Sequence, residues 1–283
     1  MRIPVLLLMA AVCLLVRIDS TVAEETAAER GYRLLTTKAY LPPDFDQDVL
    51  KDLWKVWPED WRQKAAQASP EERRELIFSY YGIMHRPGSE EAPLGYVVTP
   101  EQKWVMNCFT CHGGKVAGTV IPGAPNSHVA LHTLTEDVSK VKLQQLKKLS
   151  HMDLAAIGIP LGTTHGTTNA VIFGVVLDSL RDPDMNFDRN RPVPSLLHQD
   201  MDPQPWWNVK RKSRIYADAF ITKNHRALMQ FILIPRNNAD KIKKWESDFA
   251  DILAYIESLE APRYRWTIDE KLAQQGEMIF NDH

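Results

Sequence analysis

Cysteine is scarce in this chain, which has three in 283 residues. Cys13 lies in an apolar stretch at the amino terminus, and only two residues separate Cys108 from Cys111. If the amino-terminal stretch is removed, both remaining cysteines belong to one short motif. A scaffold held together by structural disulfides is therefore excluded.

An excess of charge of either sign is also missing. The chain carries 34 Lys and Arg against 36 Asp and Glu, a formal net charge of −2. Proteins that bind nucleic acid usually present a strongly basic surface. The balanced charge predicts no nucleic-acid partner.

The amino-terminal apolar run is too short for a comfortable membrane span. It extends from Val5 to Val16 and is closed by charges at Arg17 and Asp19. We therefore predict no membrane span in the mature chain.

Residues 1–23 have the features of a secretory signal peptide. Arg2 precedes the apolar run, and Thr21-Val22-Ala23 supplies small residues at the cleavage positions. Ala10-Ala11-Val12 before Cys13 lacks the leucine expected of a lipoprotein signal, which favours complete removal over a lipid anchor. The prediction is a periplasmic or otherwise exported protein.

The most specific feature is the motif Cys108-Phe109-Thr110-Cys111-His112. Cys-x-x-Cys-His is the attachment site of c-type haem, in which both thiols add to vinyl groups and the histidine binds the iron. A thioredoxin-type redox pair would not explain His112, and a zinc site would need further cysteines or a paired histidine. We expect one haem c in this chain, held by Cys108, Cys111 and the iron ligand His112.

Local sequence signals predict several helices joined by long loops. Thr99-Pro100-Glu101 reads as a helix start that would lead into Cys108, with Gly113-Gly114 as its end. No run of alternating residues indicates a sheet. The predicted fold is mainly α, a cytochrome c-like helical haem domain over residues 24–265 with a helical lead-in, long loops and little or no sheet. The other expected helical segments are Ser69–Tyr81, Leu134–Leu149, Ala170–Leu180, Lys223–Ile234 and Asp240–Leu259, and a stripe of Trp54, Trp57 and Trp61 is expected to pack in the core.

Two further patterns leave alternatives open. Acidic and amide residues alternate from Asp182 to Asn190, which makes calcium a weak candidate, although Phe187 occupies the position of the EF-hand glycine and a solvated turn is favoured. The basic run Lys210-Arg211-Lys212, with Arg214, follows Trp206-Trp207, and these cations would either pair with haem propionates or lie at the surface.

The segment Ile268–Phe280 is typical of the first helix of a class I cytochrome c domain, with a Gly276-x-x-x-Phe280 patch. Such a helix is followed within a few residues by a second Cys-x-x-Cys-His. The sequence therefore predicts that residues 266–283 belong to a second, truncated cytochrome c domain, with a second haem beyond the truncation.

Taken together, these motifs resemble the di-haem cytochrome c peroxidase superfamily, and within it the branch related to the bacterial rubber oxygenases. The resemblance rests on the Cys-x-x-Cys-His motif, the Gly-Pro loop ending at His128, Pro205-Trp206-Trp207 and the Gly276–Phe280 helix. It implies a distal histidine about sixteen residues beyond the proximal one, a position occupied by His128. His128 is therefore the candidate catalytic residue and second iron ligand, with His165 next. The rubber-oxygenase relatives instead imply a first haem without a protein distal ligand. The superfamily also implies a bridging tryptophan, either Trp206 or Trp207.

Three classes of function remain open at this stage. The first is an exported electron-transfer cytochrome, which would exchange electrons with a redox partner protein or a small-molecule oxidant. The second is a haem-dependent peroxidase or dioxygenase-like oxidoreductase that uses His128 near an open iron. The third, a binding module with a structural haem, is allowed by the long loops.

Overall fold

The structure is a computed structural model that describes residues 24–195, 200–216 and 219–282. About 49% of the molecule is helical and 12% is strand, so the prediction of a mainly α protein is confirmed. The predicted signal peptide, residues 1–23, lies outside the described residues. No helix of the described part is long and apolar enough to cross a membrane.

The helices are α1 Ala27–Thr37, α2 Gln47–Asp52, α3 Glu59–Gln67, α4 Pro70–Tyr81, α5 Phe109–His112, α6 Leu131–Gln144, α7 His151–Gly158, α8 Ala170–Ser179, α9 Ala239–Lys244, α10 Glu246–Ser258 and α11 Glu270–Asp282. Short 3-10 helices cover Leu53–Val56, Trp206–Arg211 and Arg226–Ile232. The strands are β1 Phe45–Asp46, β2 His85–Arg86, β3 Ser89–Pro93, β4 Tyr96–Val98, β5 Lys103–Met106, β6 Gly113–Val116, β7 Thr119–Pro122, β8 Arg214–Ile215 and β9 Ile221–Thr222. They form small antiparallel sheets in the order β1-β5-β4, β2-β3, β6-β7 and β8-β9.

The helix predicted to lead from Thr99 into Cys108 is wrong. Residues 99–102 are the turn of the β4–β5 hairpin, in which Val98 faces Trp104 and the Thr99 amide donates to the Lys103 carbonyl at 2.9 Å. Aromatic and β-branched residues flank the turn, and pairing the two strands buries Tyr96 and Trp104. This burial outweighs the local Thr-Pro-Glu signal.

Helix α6 is displaced from its predicted range of Leu134–Leu149. It begins at Leu131, because burying Leu131 and Leu134 extends the apolar face towards the amino terminus. It ends at Gln144, and Leu146 takes a positive φ of 55° that turns the chain away. Lys147 therefore lies beyond the helix, where its ammonium pairs with Asp46.

The tryptophan stripe packs in the core only in part, and it is divided between elements. Trp54 is half-buried against the first core cluster, whereas Trp61 is 38% exposed, so the expectation is wrong for Trp61. Trp54 lies in a 3-10 helix, whereas Trp61 lies in α3 after Pro58 restarts the helix. Trp57 between them is buried, donates from Nε1 to the Tyr81 hydroxyl at 2.7 Å and stacks on Tyr80.

Two large hydrophobic clusters form the interior. The first joins α2, α4 and α6 to the β1-β5-β4 sheet. The second joins α1 and α10 to the 226–232 segment and includes Phe109 of the cysteine motif. Helix α5 is therefore anchored in the second cluster by its own buried phenylalanine.

The alternating acidic segment forms a turn. The Asp182 carboxylate accepts hydrogen bonds from the backbone amides of Asp184 and Asn186, at 2.9 and 2.8 Å. Its oxygens are thus occupied by the chain itself. Among the described residues, no group of three or more His, Cys, Asp and Glu side chains could hold a metal ion, which gives no support to calcium here.

Candidate functional site

The cysteine motif lies on a single helical turn between two hairpins. Strand β5 ends at Met106, and Asn107 starts the turn by accepting from the Phe109 amide at 2.8 Å while donating to the Leu94 carbonyl at 3.0 Å. The His112 amide donates to the Cys108 carbonyl at 3.1 Å, which closes the turn. One turn of helix brings residues three and four apart to the same side. Cys108, Cys111 and His112 are therefore neighbours.

Gly113 ends the helix as predicted, but the chain continues directly into the β6–β7 hairpin. Gly114 packs against the loop that follows this hairpin, because a Cβ at this position would lie 1.8 Å from the Pro125 carbonyl oxygen. The Gly113-Gly114 pair thus serves two purposes, a helix end and a close backbone approach.

Both motif cysteines are free thiols and half-buried. Burial raises the pKa of Cys108 to about 12, and the nearby Cys111 sulfur adds to this shift. Burial raises the pKa of Cys111 to about 11, against a hydrogen bond from Thr168 that lowers it. Both sulfurs are therefore protonated and nucleophilically quiet at neutral pH, unlike the activated thiols of redox catalysts.

The His112 imidazole is oriented by a backbone carbonyl. Its Nδ1 lies 3.0 Å from the Gln204 oxygen. Because a carbonyl only accepts, Nδ1 carries the proton and Nε2 keeps a free lone pair. Burial lowers the pKa of His112 to about 4, so the ring is neutral at pH 7. A neutral imidazole with one nitrogen held by a carbonyl is the form that metal-binding histidines adopt.

Trp206 forms the wall behind this histidine. The two rings stack with centroids 4.7 Å apart and planes inclined by 25°. Trp206 is itself buried against Phe109 and Tyr255, and its amide donates to the Gly123 carbonyl at 2.9 Å. Trp207 is half-buried and makes no ring contact with a described residue. Of the two predicted tryptophans, Trp206 is the one in contact with the motif.

A buried asparagine holds the following loop against the motif. The side-chain amide of Asn126 donates to the carbonyls of Thr110 and Gly82, at 2.9 and 2.8 Å. The backbone amide of Asn126 donates to the Cys111 carbonyl at 2.9 Å. Asn126 is only 1% exposed. These three bonds fix the Gly123–His128 loop beside α5.

The two candidate distal histidines lie on neighbouring loops. The His128 side chain is exposed, and its Nδ1 lies 3.2 Å from the Ser127 hydroxyl. His165 is also exposed, and the adjacent Gly166 amide donates to the Val129 carbonyl at 2.8 Å. The loops that carry both imidazoles are therefore packed together.

Two of the cations predicted near the tryptophans, Lys210 and Arg214, are engaged with other groups. Lys210 pairs with Glu260, and Arg214 donates to the carbonyls of Ala219 and Phe220. Lys223, further along, pairs with Glu257. Lys210 and Arg214 thus have partners on the protein surface without a haem propionate.

Sequence reasoning identified the two cysteines and His112 but missed the residues that position them. Asn107 had a detectable signal, because asparagine is a common helix-capping residue. Asn126, Thr168 and Gln204 had none, since they come from loops distant in the sequence.

The donor set fits a c-type haem. Two unpaired thiols lie one turn apart, and a neutral histidine beside them has an oriented Nδ1 and a free Nε2.

Comparisons of the chain with family models, with curated proteins and with solved structures found no match.

Proposed function

We propose that this protein is an exported c-type cytochrome that carries one haem, bound through Cys108 and Cys111, and transfers electrons. The observation that carries the proposal is the hydrogen bond between His112 Nδ1 and the Gln204 carbonyl. It supports iron ligation by Nε2, because it sets both the tautomer and the ring orientation.

Each residue of the motif has a distinct part in this proposal. When bound, the haem supplies an iron that cycles between ferrous and ferric states. The thiols of Cys108 and Cys111 tether it, so no disulfide is needed to fix this part of the fold. Trp206 restricts rotation of the His112 ring and keeps water away from one of its faces. Asn126 keeps the loop next to the motif in place.

Covalent attachment is tested on protein exported from a bacterial host that matures c-type cytochromes. Wild type is expected to keep haem through denaturing electrophoresis, and the Cys108→Ala/Cys111→Ala variant to lose it. Retention of haem by the double variant would contradict covalent attachment at these sulfurs. His112→Ala is expected to leave the tether intact but change the iron spectrum strongly. His225→Ala, which removes a half-buried histidine outside the motif, is the matched control and should leave the spectrum unchanged.

A peroxidase or dioxygenase-like reaction is the second candidate. It is favoured by the exposed imidazole of His128, on a loop fixed to the motif by Asn126 and packed against the loop of His165. In this alternative His128 would give or take a proton beside the haem held by Cys108, Cys111 and His112, and the haem would supply the peroxidase or dioxygenase chemistry.

One spectrum separates the two functions. The optical absorption spectrum of the exported protein is recorded in the ferric and ferrous forms, before and after the addition of peroxide and of carbon monoxide. Bands indifferent to both additions would support two strong axial ligands and electron transfer. A shift with either addition would indicate an open iron and support the enzyme. His128→Ala and His165→Ala, compared in the same assay, would then identify the distal group.

A further inference from the structure

A second group of buried polar side chains lies outside the cysteine motif, where α6 and α7 pack on the β4–β5 hairpin. Its most buried members are Asp44, Tyr96, Lys142 and Asp153, which are 4%, 1%, 3% and 3% exposed. The His151 side chain beside them is 17% exposed. The proposed function does not use any of these residues.

Part of this group is fully paired. The Lys142 ammonium donates to the Asp153 carboxylate and to the Asp44 backbone carbonyl. Asp153 also accepts from the hydroxyls of Ser139 and Ser150, at 2.7 and 2.8 Å. Lys142 and Asp153 therefore form a neutral, hydrogen-bonded pair, which leaves no net charge to compensate a further carboxylate.

The remaining polar atoms lack partners. Asp44 Oδ1, the Tyr96 hydroxyl and both ring nitrogens of His151 are buried with no hydrogen-bond partner among the described residues. Asp44 Oδ1 lies 3.8 Å from His151 Nε2, which is too long for a direct hydrogen bond. Buried polar groups are normally satisfied by protein or by ordered water. These atoms thus require a further group between them.

A small cavity lies beside Asp44 and Tyr96, and the two chain neighbours of His151, Ser150 and Met152, also line it. Met106 and Asp153 are among its other lining residues, and the space open to the centre of a water molecule is about 10 Å³. A space of this size holds about one water, provided that several polar partners surround it. Atoms 3.8 Å apart can both hydrogen-bond to one water at the apex of a triangle.

We propose that this cavity binds one water molecule, and that the Asp44 carboxyl, which shares that water with Tyr96 and His151, is a protonation site of the folded protein. A proton on Asp44 removes the uncompensated charge and gives Oδ1 a hydrogen to donate. The water accepts it and donates to the free lone pair of His151.

The charges that face Asp44 agree with this assignment. Burial raises the pKa of Asp44 to about 7, and the Asp153 carboxylate adds to the rise, while the Met106 amide and Lys142 oppose it. Burial lowers the pKa of His151 to about 4, with Lys142 and Arg236 in the same direction and Asp153 opposed. His151 is therefore a neutral acceptor at the pH where Asp44 exchanges its proton.

The site is connected to the strand that enters the cysteine motif. Asp44 Oδ2 accepts from the Met106 amide at 2.8 Å, at the end of β5. Loss of the proton makes this a charge-assisted bond and strengthens it. The site does not depend on haem, so failure of its test would leave the proposed function untouched.

Infrared titration of the exported full-length protein tests the proton. A carbonyl band of a protonated carboxylic acid is expected in wild type at about pH 6, where ordinary carboxyl groups are ionised, and it should vanish with a midpoint near 7. Asp44→Asn should abolish the band. Asp48→Asn, which removes an exposed carboxylate nearby, should keep it. A missing band in wild type, or its persistence in Asp44→Asn, would overturn the protonation site.

The water is tested separately by high-resolution diffraction and by Tyr96→Phe. Density for one water within hydrogen-bonding distance of Asp44 Oδ1 supports the proposal, and a dry cavity overturns it. Tyr96→Phe removes a donor near the carboxylate and should raise the midpoint. If Asp44→Asn does not fold, the carbonyl band of wild type and the midpoint shift in Tyr96→Phe test the protonation site in its place. An unchanged midpoint in Tyr96→Phe would exclude Tyr96 from the site.

Discussion

Asp46 is a single residue that joins three parts of the molecule. Its carboxylate accepts from the Val49 amide at 3.0 Å, capping α2, and binds the ammonium groups of Lys147 and Lys103 at 2.6 and 3.2 Å. Burial favours the neutral carboxyl, but these hydrogen bonds outweigh it and lower the pKa of Asp46 to about 2. Its negative charge is therefore a source of stability at neutral pH.

Asp46→Asn isolates the effect of this charge, because asparagine also caps helices. We expect the free energy of unfolding at pH 7 to fall by about 2 kcal/mol. The pKa in the folded state lies below the ordinary 3.8, so this stability is present above that pH and is lost as the pH falls towards 2. Urea unfolding across this range should show the two proteins converging at acid pH. Asp48→Asn, whose carboxylate is 76% exposed, should change stability little. A difference that persists at acid pH would contradict the charge argument.

At the scale of secondary structure, α1 and α10 pack in close contact. Gly31 allows this contact, because a Cβ there would lie 2.1 Å from the Asp251 backbone oxygen. The side chains on either side reinforce the contact, since Arg30 pairs with Asp251 at 2.9 Å. This helix pair forms one side of the cluster that holds Phe109 and Trp206.

Gly31→Ala should separate the two helices. Alanine favours an isolated helix by about 1 kcal/mol over glycine, but overpacking a close contact typically costs about 1–3 kcal/mol, so we expect a net loss of stability. Gly158→Ala, in α7, meets nothing within 4 Å and should be neutral or slightly stabilising. Chemical denaturation of both variants measures the difference. Equal effects would show that the α1–α10 approach is not tight.

At the scale of the whole molecule, α11 stands apart from both hydrophobic clusters. None of its residues is buried, and Leu272, Met278, Ile279 and Phe280 are all more than half exposed. Apolar area that stays in water contributes nothing to folding.

Removal of residues 268–283 should therefore leave the free energy of unfolding within about 0.5 kcal/mol of the full chain. Removal of α1, which buries Gly31, Leu35 and Thr36, is the contrasting deletion and should destabilise the protein severely. Denaturant unfolding of the three chains tests both statements. A large loss from the first deletion would mean that α11 packs on the rest of the chain.

The parts of this protein that could be predicted from the sequence are those that depend on interactions between residues close together in the chain. Helix α4 follows from local signals, because Ser69 and Glu72 form a capping box and Gly82 takes a left-handed φ of 68° at the other end. The relation between Cys108, Cys111 and His112 is likewise contained within one helical turn. Sequence was sufficient there because every interacting group lies within about four residues.

The tertiary structure determined the contacts between residues that are far apart in the sequence. The strands around Thr99 formed because pairing buries Tyr96 and Trp104, a gain that a helix signal of three residues cannot match. The carbonyl of Gln204 and the ring of Trp206 reach His112 across about ninety residues of chain. Likewise, Asp44 Oδ1 lies 3.8 Å from His151 Nε2 although the two residues are far apart in the sequence. Such contacts depend on the final path of the backbone, so the sequence alone determined the candidate ligands and local helices, while the packed molecule determined their orientation and charge.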